Sequence, residues 1–215
     1  IANPNCSTAQ LVVALKPLHD AAQIERVVIS TYQSVSGAGK DAIIELEKQS
    51  RGSLAGHPTQ AEVFPTEIAF NVIPQIDVFQ ENGYTKEEMK MILETKKILE
   101  DESIEVTATC VRVPVFISHS ESVNVQTKKK LSAKDARTLF EKAEGVTVYD
   151  DTEKLVYPTP RMASGKDDSF IGRIREDVSH PSAIDFWCVS DNLRKGAALN
   201  AVQIAEACTK QLARV

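Results

Sequence analysis

The spacing of hydrophobic positions in the first part of the chain predicts helix, strand, turn and helix in that order. Apolar residues fill most of positions 7–18, as in a largely buried helix, and Pro17 is expected to end it. Residues 25–32 contain a run of β-branched side chains and predict a strand. The glycine-containing turn 36–39 then leads into a second helix, whose apolar positions begin at Ala42.

The middle of the chain combines an irregular stretch with a strongly marked helix. Residues 50–83 hold prolines among isolated apolar side chains and predict a long loop, and the apolar run 63–79 within it should be covered by core or by a partner. Thr85 and Glu88 form a capping-box pattern that predicts the start of a helix. The predicted apolar face of this helix consists of Met89, Ile92, Leu93 and Leu99. The opposite face is expected to carry Glu87, Lys90, Met91 and Glu94.

The second half of the chain is predicted to contain further strands and helices. Residues 104–117 are rich in β-branched side chains and predict a long strand or a strand pair, interrupted near Pro114. Ser132 is expected to cap a helix that ends before Gly145. Further strands are predicted at 123–126, 146–149, 171–175 and 183–189, a loop at 158–169, and a last helix at 193–212.

This order of elements favours an α+β fold with a mixed, largely antiparallel sheet and helices packed on it, because strands alternate with helices and several lie at hairpin spacing. The last helix has an apolar side that must dock on something. That side is formed by Ala197, Ala201, Ile204 and Cys208.

The composition is that of a globular protein and excludes several classes. Of the 215 residues 42% are hydrophobic and 26% charged, so disordered and fibrous chains are disfavoured. The formal net charge is −5 and no basic stripe exceeds residues 128–130, which predicts no nucleic-acid partner. Neither a membrane-length apolar run nor a signal peptide is recognisable, so we expect no membrane partner and a cytoplasmic location.

The four cysteines have no C-x-x-C spacing, which argues against a zinc site or a disulfide framework and predicts no metal. Cys6 alone lies at the predicted start of a helix. The partial positive charge and free N–H groups there would lower a thiol pKa and, with the Asn5 amide, could receive an oxyanion. Position alone is more typical of a core cysteine than of a reactive one.

Several segments resemble, in order, the motifs of the aspartate-semialdehyde dehydrogenase family. The first and most specific segments are Asn3-Pro4-Asn5-Cys6-Ser7-Thr8 and Tyr32-Gln33-Ser34-Val35-Ser36-Gly37-Ala38-Gly39. Further along the chain, Glu87-x-x-Lys90 is similar to that family's substrate-binding motif. The segment from Arg112 to His119 is similar to its substrate-binding and acid/base motif, and residues 192–203 are similar to its returning helix.

The resemblance implies a role for each matching residue. Cys6 would be the nucleophile that carries the acyl group as a thioester, His119 the acid/base, and Gln33 the residue that orients the substrate. The implied substrate-binding residues are Asn5, Glu87 for the α-ammonium, Lys90 for the phosphate and Arg112 for the α-carboxylate. The implied contacts to NADP are Ser36, Gly37, Gly39, Asn192 and Gln203.

The reaction implied is the NADP-dependent reductive dephosphorylation of aspartyl β-phosphate to aspartate semialdehyde, in the biosynthesis of lysine (through diaminopimelate), methionine and threonine. The resemblance also implies a homodimer and a fold like the C-terminal domain of glyceraldehyde-3-phosphate dehydrogenase. Residues 1–192 would form the catalytic and dimerisation domain. Residues 193–215 would be a helix that returns to the nucleotide-binding domain.

The chain departs from that family because no G-x-G-x-x-G turn follows a strand and because it begins at Ile1 rather than at Met. We therefore expect a fragment that is inactive alone. Two alternatives for its operative behaviour are a catalytically silent dimerisation module and a cysteine hydrolase; a sister reductase of another acyl phosphate is a third. A straight strand would point Arg112 and His119 to opposite faces, so a bulge near Pro114 or a turn at Ser118 must redirect one of them.

Overall fold

A computed structural model describes residues 1–212, with side chains described to residue 210; the end of the predicted terminal segment, 213–215, lies outside the described residues. The helices are α1 (Cys6–Ala22), α2 (Lys40–Leu54), α3 (Lys86–Leu99), α4 (Ala133–Lys142), α5 (Pro160–Ala163) and α6 (Leu199–Leu212). The strands are β1 (Ile24–Gln33), β2 (Glu105–Arg112), β3 (His119–Thr127), β4 (Val146–Val148), β5 (Ser169–Glu176) and β6 (Ala183–Ser190). A short 3₁₀ helix, Val35–Ala38, precedes α2, and a π-helical turn, Arg194–Ala198, precedes α6.

The strands form one six-stranded sheet in the order β2-β1-β3-β6-β5-β4. The pairs β1/β3, β3/β6 and β5/β6 are antiparallel, whereas β1/β2 and β4/β5 are parallel. The predicted α+β class with a mixed, largely antiparallel sheet is therefore confirmed. No described helix is long and apolar enough to cross a membrane.

The main core lies between one face of this sheet and helices α1, α3 and α4. Its largest fully buried side chains include Leu11, Leu15, Leu18, Phe140, Phe186, Met91, Ile104 and Ile184. The other face of the central strands remains half-exposed, as Val28, Ser30, Asn124 and Trp187 show. Alternating strand residues thus divide the sheet into a packed face and an open face.

The first helix is longer than predicted, because Pro17 lies inside α1 and does not end it. A proline removes one backbone hydrogen bond, here to the carbonyl of Val13, and usually kinks or stops a helix. Leu15, Leu18 and Ala22, which lie before and after the proline on one face of the helix, are completely buried. Packing on the sheet therefore outweighs the local preference of the proline.

Helix α3 confirms the predicted cap and corrects the predicted face. The Thr85 side chain accepts from the Glu88 N–H, and the Glu88 carboxylate accepts from the Thr85 N–H, which is a complete capping box. Met91, however, is fully buried, whereas Leu93 is 59% exposed. The more polar side of the helix faces inward because it finds hydrogen-bond partners there: the Glu88 carboxylate also accepts from the backbone N–H of Cys110. Predicting the buried face from apolar spacing assumes that burying a polar group costs free energy, and hydrogen bonds to the buried group offset that cost.

The irregular stretch predicted in the middle of the chain is confirmed between α2 and α3. Side chains of α2 hold it in place: Gln49 accepts from the N–H groups of Ile68 and Ala69, and Glu45 accepts from that of Val63. Its apolar residues divide into two groups. Ile68, Ile73 and Ile76 are buried. Val63, Phe70, Val72, Val78 and Phe79 are exposed.

The remaining elements follow the predictions with changed boundaries. The Ser132 cap of α4 is confirmed, with Asp135 completing its capping box. The predicted loop 158–169 contains the short helix α5, which Thr159 caps. The predicted last helix begins with the π-helical turn, and most described side chains of α6 are exposed or half-exposed.

The core assignment predicts a large effect of truncating Phe140. Its side chain is fully buried and lies edge-on to Phe186, with ring centroids 5.3 Å apart. Phe140→Ala should lower the free energy of unfolding by about 3–5 kcal/mol in a urea titration. Phe79→Ala, at a site 59% exposed, is the matched control and should change it by less than about 0.5 kcal/mol. Equal losses in the two variants would contradict this core.

Candidate active site

Three strand ends meet at one edge of the sheet and bring together three of the predicted residues. Gln33 ends β1 and is the register partner of Arg112, which ends the parallel strand β2. His119 begins β3, which runs antiparallel to β1 and therefore starts at the same edge. All three side chains are buried, at 5% exposure or less.

The turn between β2 and β3 explains how residues seven positions apart reach the same site. Residues 113–118 leave the sheet, and Ser118 adopts a left-handed φ of 78° just before His119. The predicted turn at Ser118 is thus confirmed. Backbone N–H groups of Val35 and Ser36 donate to the carbonyls of Val115 and Phe116, so the turn is fastened to the 3₁₀ helix.

Cys6 is the first residue of α1, and its neighbour Asn5 connects it to this site. The Asn5 side chain caps the helix by accepting from the N–H groups of Ser7 and Thr8. The backbone of the π-helical turn lies directly against the cysteine: a Cβ on Gly196 would come within 2.7 Å of the Cys6 Cβ. Helix start and π turn together fix the position of the thiol.

The carboxylate of Glu87 links the helix that carries the thiol to the sheet. Its Oε1 accepts from the Asn5 side-chain amide at 2.8 Å and from the Gln33 amide at 3.3 Å. Lys90 lies 3.5 Å from the other oxygen and 3.4 Å from Asp77. Partial burial lowers the Lys90 pKa, but the Glu87 and Asp77 carboxylates outweigh it and raise the pKa overall. Lys90 therefore carries a positive charge at the rim of the site.

His119 is a neutral imidazole in this environment. Complete burial, followed by the neighbouring charge of Arg112, lowers its pKa to about 3. The Ser34 N–H donates to Nδ1 at 3.0 Å, so the neutral ring carries its proton on Nε2. Nε2 is buried and has no hydrogen-bond partner among residues 1–212. This N–H is therefore available to an oxygen atom of a bound substrate.

Arg112 is held beside the imidazole by the same short segment. Its Nη1 donates to the Ser34 carbonyl at 2.7 Å. Burial lowers its pKa from the ordinary value, yet a guanidinium remains protonated at neutral pH. Gly37 is required where it packs on this pair, because a Cβ there would lie 2.9 Å from the Arg112 Nη1 and 3.2 Å from the His119 ring.

The thiol of Cys6 corrects the expectation of a lowered pKa. Burial first, and then the Glu87 carboxylate, raise the pKa of Cys6 to about 11. The Ser7 N–H at the helix start and the Arg112 charge do lower it, as expected, but they are outweighed. The partial charge of a helix end is a smaller effect than desolvation of a thiolate. Cys6 is therefore a protonated thiol in the unliganded chain.

The residues implied as cofactor contacts lie on different elements and have different hydrogen-bond partners. Asn192 accepts through one amide oxygen from the Ser34 and Ser36 hydroxyls and from the Ser118 N–H, at 2.8–3.2 Å. Gly39 has a φ of 98° and is the N-cap residue that precedes α2. Gln203, on α6, accepts from Lys195 at 2.9 Å. Ser36 and Asn192 thus support the His119 segment, and the cofactor roles of the set stay predictions.

Sequence reasoning missed four residues that build the site. Ser34 binds both His119 and Arg112; Asp77 pairs with Lys90; Glu94 accepts from the Asn5 N–H at 2.8 Å. Glu121 is buried in β3. Two of them could have been found from the spacing in the sequence. Glu94 lies seven positions after Glu87 on a predicted helix, and Glu121 lies two positions after His119 on a predicted strand. Each spacing puts the two residues on the same face of their element.

This arrangement suits acyl transfer to a thiol from a substrate with charges of both signs. A thiol lies at a helix start, the neutral imidazole has a free N–H donor, and a cation and an anion occupy fixed positions around them. The described cysteines are free thiols, which is consistent with such chemistry.

Comparison with known proteins agrees with this reading of the site. The family model described as "Semialdehyde dehydrogenase, dimerisation domain" matches residues 15–195. An aspartate-semialdehyde dehydrogenase of Legionella pneumophila is 59% identical over 207 residues, which cover 96% of this chain and 60% of the relative. The chain thus spans about 60% of the length of that curated relative.

Solved structures match the fold as closely. The crystal structure of aspartate semialdehyde dehydrogenase II from Vibrio cholerae complexed with ASA has a TM-score of 0.95 and 53% identity, covering 98% of this chain and 62% of that one. An aspartate semialdehyde dehydrogenase with NADP from Candida albicans has a TM-score of 0.70 and 27% identity, covering 96% and 56%. The chain therefore belongs to the semialdehyde dehydrogenase family and corresponds to the part of the aspartate-semialdehyde dehydrogenases that contains their dimerisation domain.

Proposed function

We propose that this chain is the catalytic half of an aspartate-semialdehyde dehydrogenase, which converts aspartyl β-phosphate to aspartate semialdehyde through a thioester on Cys6. The observation that carries the proposal is the joining of the Cys6 helix, through Asn5 and Glu87, to the sheet edge that holds Gln33, Arg112 and His119. The names of the relatives support the substrate. The place of the reaction in lysine, methionine and threonine biosynthesis and in the cytoplasm belongs to the same proposal.

The first chemical step needs a base, because the Cys6 thiol is protonated at neutral pH. His119 is neutral and buried, and we assign it as the base. To accept the thiol proton at Nε2, the ring must first move its own proton to Nδ1, which breaks the hydrogen bond that the Ser34 N–H donates there in the unliganded chain. The Ser34 hydroxyl, 3.1 Å from Nδ1, can then accept a hydrogen bond from the Nδ1 proton. Sulfur then bonds to the acyl carbon, the carbon–oxygen bond to phosphate breaks, and phosphate leaves with that electron pair.

The charged residues account for recognition of each substrate group. The Arg112 guanidinium matches the α-carboxylate, with which it can form two parallel hydrogen bonds. Glu87 is the anion that can accept from the α-ammonium, and Lys90 at the rim can neutralise the phosphate that leaves. An isolated thiol hydrolase would use Cys6 and His119 but would leave these three residues without a role, so the geometry favours the dehydrogenase.

NADP fits this chain only at its nicotinamide end. Gly37 and Ser36 border His119, whereas no glycine-rich phosphate-binding turn occurs in the sequence. When bound, NADPH would supply the hydride that converts the thioester to the aldehyde. We propose that the remaining length of the parent enzyme holds the rest of the cofactor. Residues 1–215 alone would then be inactive in turnover.

We further propose that the chain forms a homodimer through the open face of the sheet. This face presents half-exposed and exposed side chains from three adjacent central strands, including Tyr32 at 39% exposure. Tyr32 stacks at a tilt on Trp187, with ring centroids 5.4 Å apart. A broad, ordered surface with aromatic residues is typical of a subunit interface. The name of the matching family model, a dimerisation domain, supports the same assembly.

Replacing the proposed nucleophile should abolish turnover. In the enzyme with its nucleotide-binding half restored, Cys6→Ala should lower kcat by at least about 10³-fold, because no thioester can form. Cys208→Ala, on α6, is the matched control and should retain kcat within about two-fold. The phosphate-dependent reduction of NADP by aspartate semialdehyde measures both. Wild-type kcat in Cys6→Ala would contradict the proposal.

The substrate role of Arg112 predicts a separation of KM from kcat. Arg112→Lys keeps the charge and loses the two-pronged fit, so KM for aspartate semialdehyde should rise about 10-fold or more while kcat changes less. Arg51→Lys, at an exposed site on α2, is the control and should leave both constants unchanged. A fall in kcat alone would assign Arg112 a different role.

The open-face dimer predicts a charge-sensitive assembly. Light scattering at micromolar concentration should give the mass of two chains for the wild type. Val28→Lys places a charge in the middle of the open face and should give one chain, since an unpaired charge at an interface core is strongly unfavourable. Val178→Lys, at a fully exposed position, should remain dimeric. A monomeric wild-type chain would contradict the proposal.

A further inference from the structure

Residues 73–78, which we call the connecting segment, join the two cations of the site through backbone hydrogen bonds. At one end Ile73 donates to the carbonyl of Arg112 at 2.9 Å and accepts from the Arg112 N–H at 2.8 Å. At the other end the Val78 carbonyl accepts from the N–H of the first residue of α3 at 2.9 Å. Lys90 follows one helical turn later. The segment therefore runs from the end of the strand that carries Arg112 to the start of the helix that carries Lys90.

The middle of the connecting segment is anchored in the core and then bends toward Lys90. Ile76 is 7% exposed and belongs to the main core. Asp77, the next residue, adopts a left-handed φ of 67°, a conformation that aspartate tolerates better than most other side chains. Its Oδ1 accepts from the Val78 N–H at 2.8 Å, and its Oδ2 lies 3.4 Å from the Lys90 Nζ. The backbone thus holds the Asp77 carboxylate in one orientation, with its second oxygen toward the lysine.

Lys90 depends on Asp77 because its other anionic partner is already shared. The Glu87 carboxylate lies 3.5 Å from Nζ, but it also accepts from the Asn5 and Gln33 amides and, in the proposed complex, from the substrate ammonium group. Within residues 1–210, Lys90 is the only side chain that donates to the Asp77 carboxylate. A lysine side chain has several rotatable bonds and loses much conformational entropy when it is fixed. Without Asp77 the ammonium group would therefore be less well placed.

We propose that Asp77 is a positioning residue for Lys90: it holds the ammonium group at the rim of the site, at a distance from Arg112 that the connecting segment sets, where the phosphate group of the substrate binds. The inference rests on the proposed function, in which Lys90 neutralises that phosphate. In this role Asp77 touches no part of the substrate and takes no part in proton transfer. It acts only through the position of Lys90.

Two opposite effects of the Asp77 charge decide the sign of the prediction. A carboxylate near the phosphate repels that anion, but the Asp77 side chain is 31% exposed, so water and salt screen the repulsion. A fixed position for the ammonium group favours phosphate binding, because the lysine then loses little further entropy when the anion arrives. Screening leaves the second effect larger, so removing the Asp77 charge should weaken phosphate binding.

Asp77→Asn removes the charge and preserves the bend. Asparagine also tolerates the left-handed φ, and its amide oxygen can still accept from the Val78 N–H, which turns an NH₂ group toward the lysine ammonium, itself only a donor. In the enzyme with its nucleotide-binding half restored, KM for phosphate in the reduction of NADP should rise about five-fold, while kcat and KM for aspartate semialdehyde change by less than about two-fold. Asp20→Asn breaks an exposed aspartate–lysine pair on α1 and is the matched control, which should leave all three constants unchanged.

A second substitution separates positioning of Lys90 from any other effect of Asp77. In a Lys90→Ala background Asp77→Asn should not raise KM for phosphate, because no ammonium group remains to be held. An unchanged or lowered KM in the single variant, or an equal rise in both backgrounds, would overturn the inference and leave the proposed function intact. A wild-type enzyme without any phosphate-dependent reduction of NADP would overturn both.

Discussion

The site depends on the buried carboxylate of Glu87 more than on any other single group. It accepts hydrogen bonds from Asn5 at the start of α1 and from Gln33 at the end of β1, and it lies beside Lys90. An ionised group is stable inside a protein only when several donors replace its hydration. That requirement forces three elements distant in sequence into contact, and the thiol of Cys6 is held where they meet.

The same carboxylate disfavours ionisation of the Cys6 thiol. Burial first, and then Glu87, raise the Cys6 pKa, whereas the helix start and Arg112 lower it by less. In the proposed complex the substrate's ammonium group would neutralise the charge of Glu87, and the substrate's α-carboxylate would bind Arg112. The first change favours the thiolate and the second disfavours it, so the ammonium group is the part of the substrate that can activate the thiol.

The sequence predicted those features that local rules determine. The capping boxes at Thr85 and Ser132 follow from short motifs, and the succession of strands along the chain follows from β-branched runs; both predictions are confirmed. The inward face of α3 and the continuation of α1 through Pro17 could not be predicted, because both depend on partners supplied by the sheet. The raised Cys6 pKa was missed for the same reason: desolvation depends on the complete fold.

Several contacts cross the domain boundary predicted after residue 192, and the boundary itself stays a prediction. Asn192 holds the Ser118 turn that orients His119, and Gly196 lies against Cys6. The Asn3 side chain donates to the Gly196 carbonyl and accepts from Asn200. Hydrogen bonds and close packing therefore join the π-helical turn and the first turn of α6 to residues 1–192. A π turn is an unusual conformation that adds a residue to a helical turn. Here it brings a glycine backbone against the thiol, where a side chain could not fit.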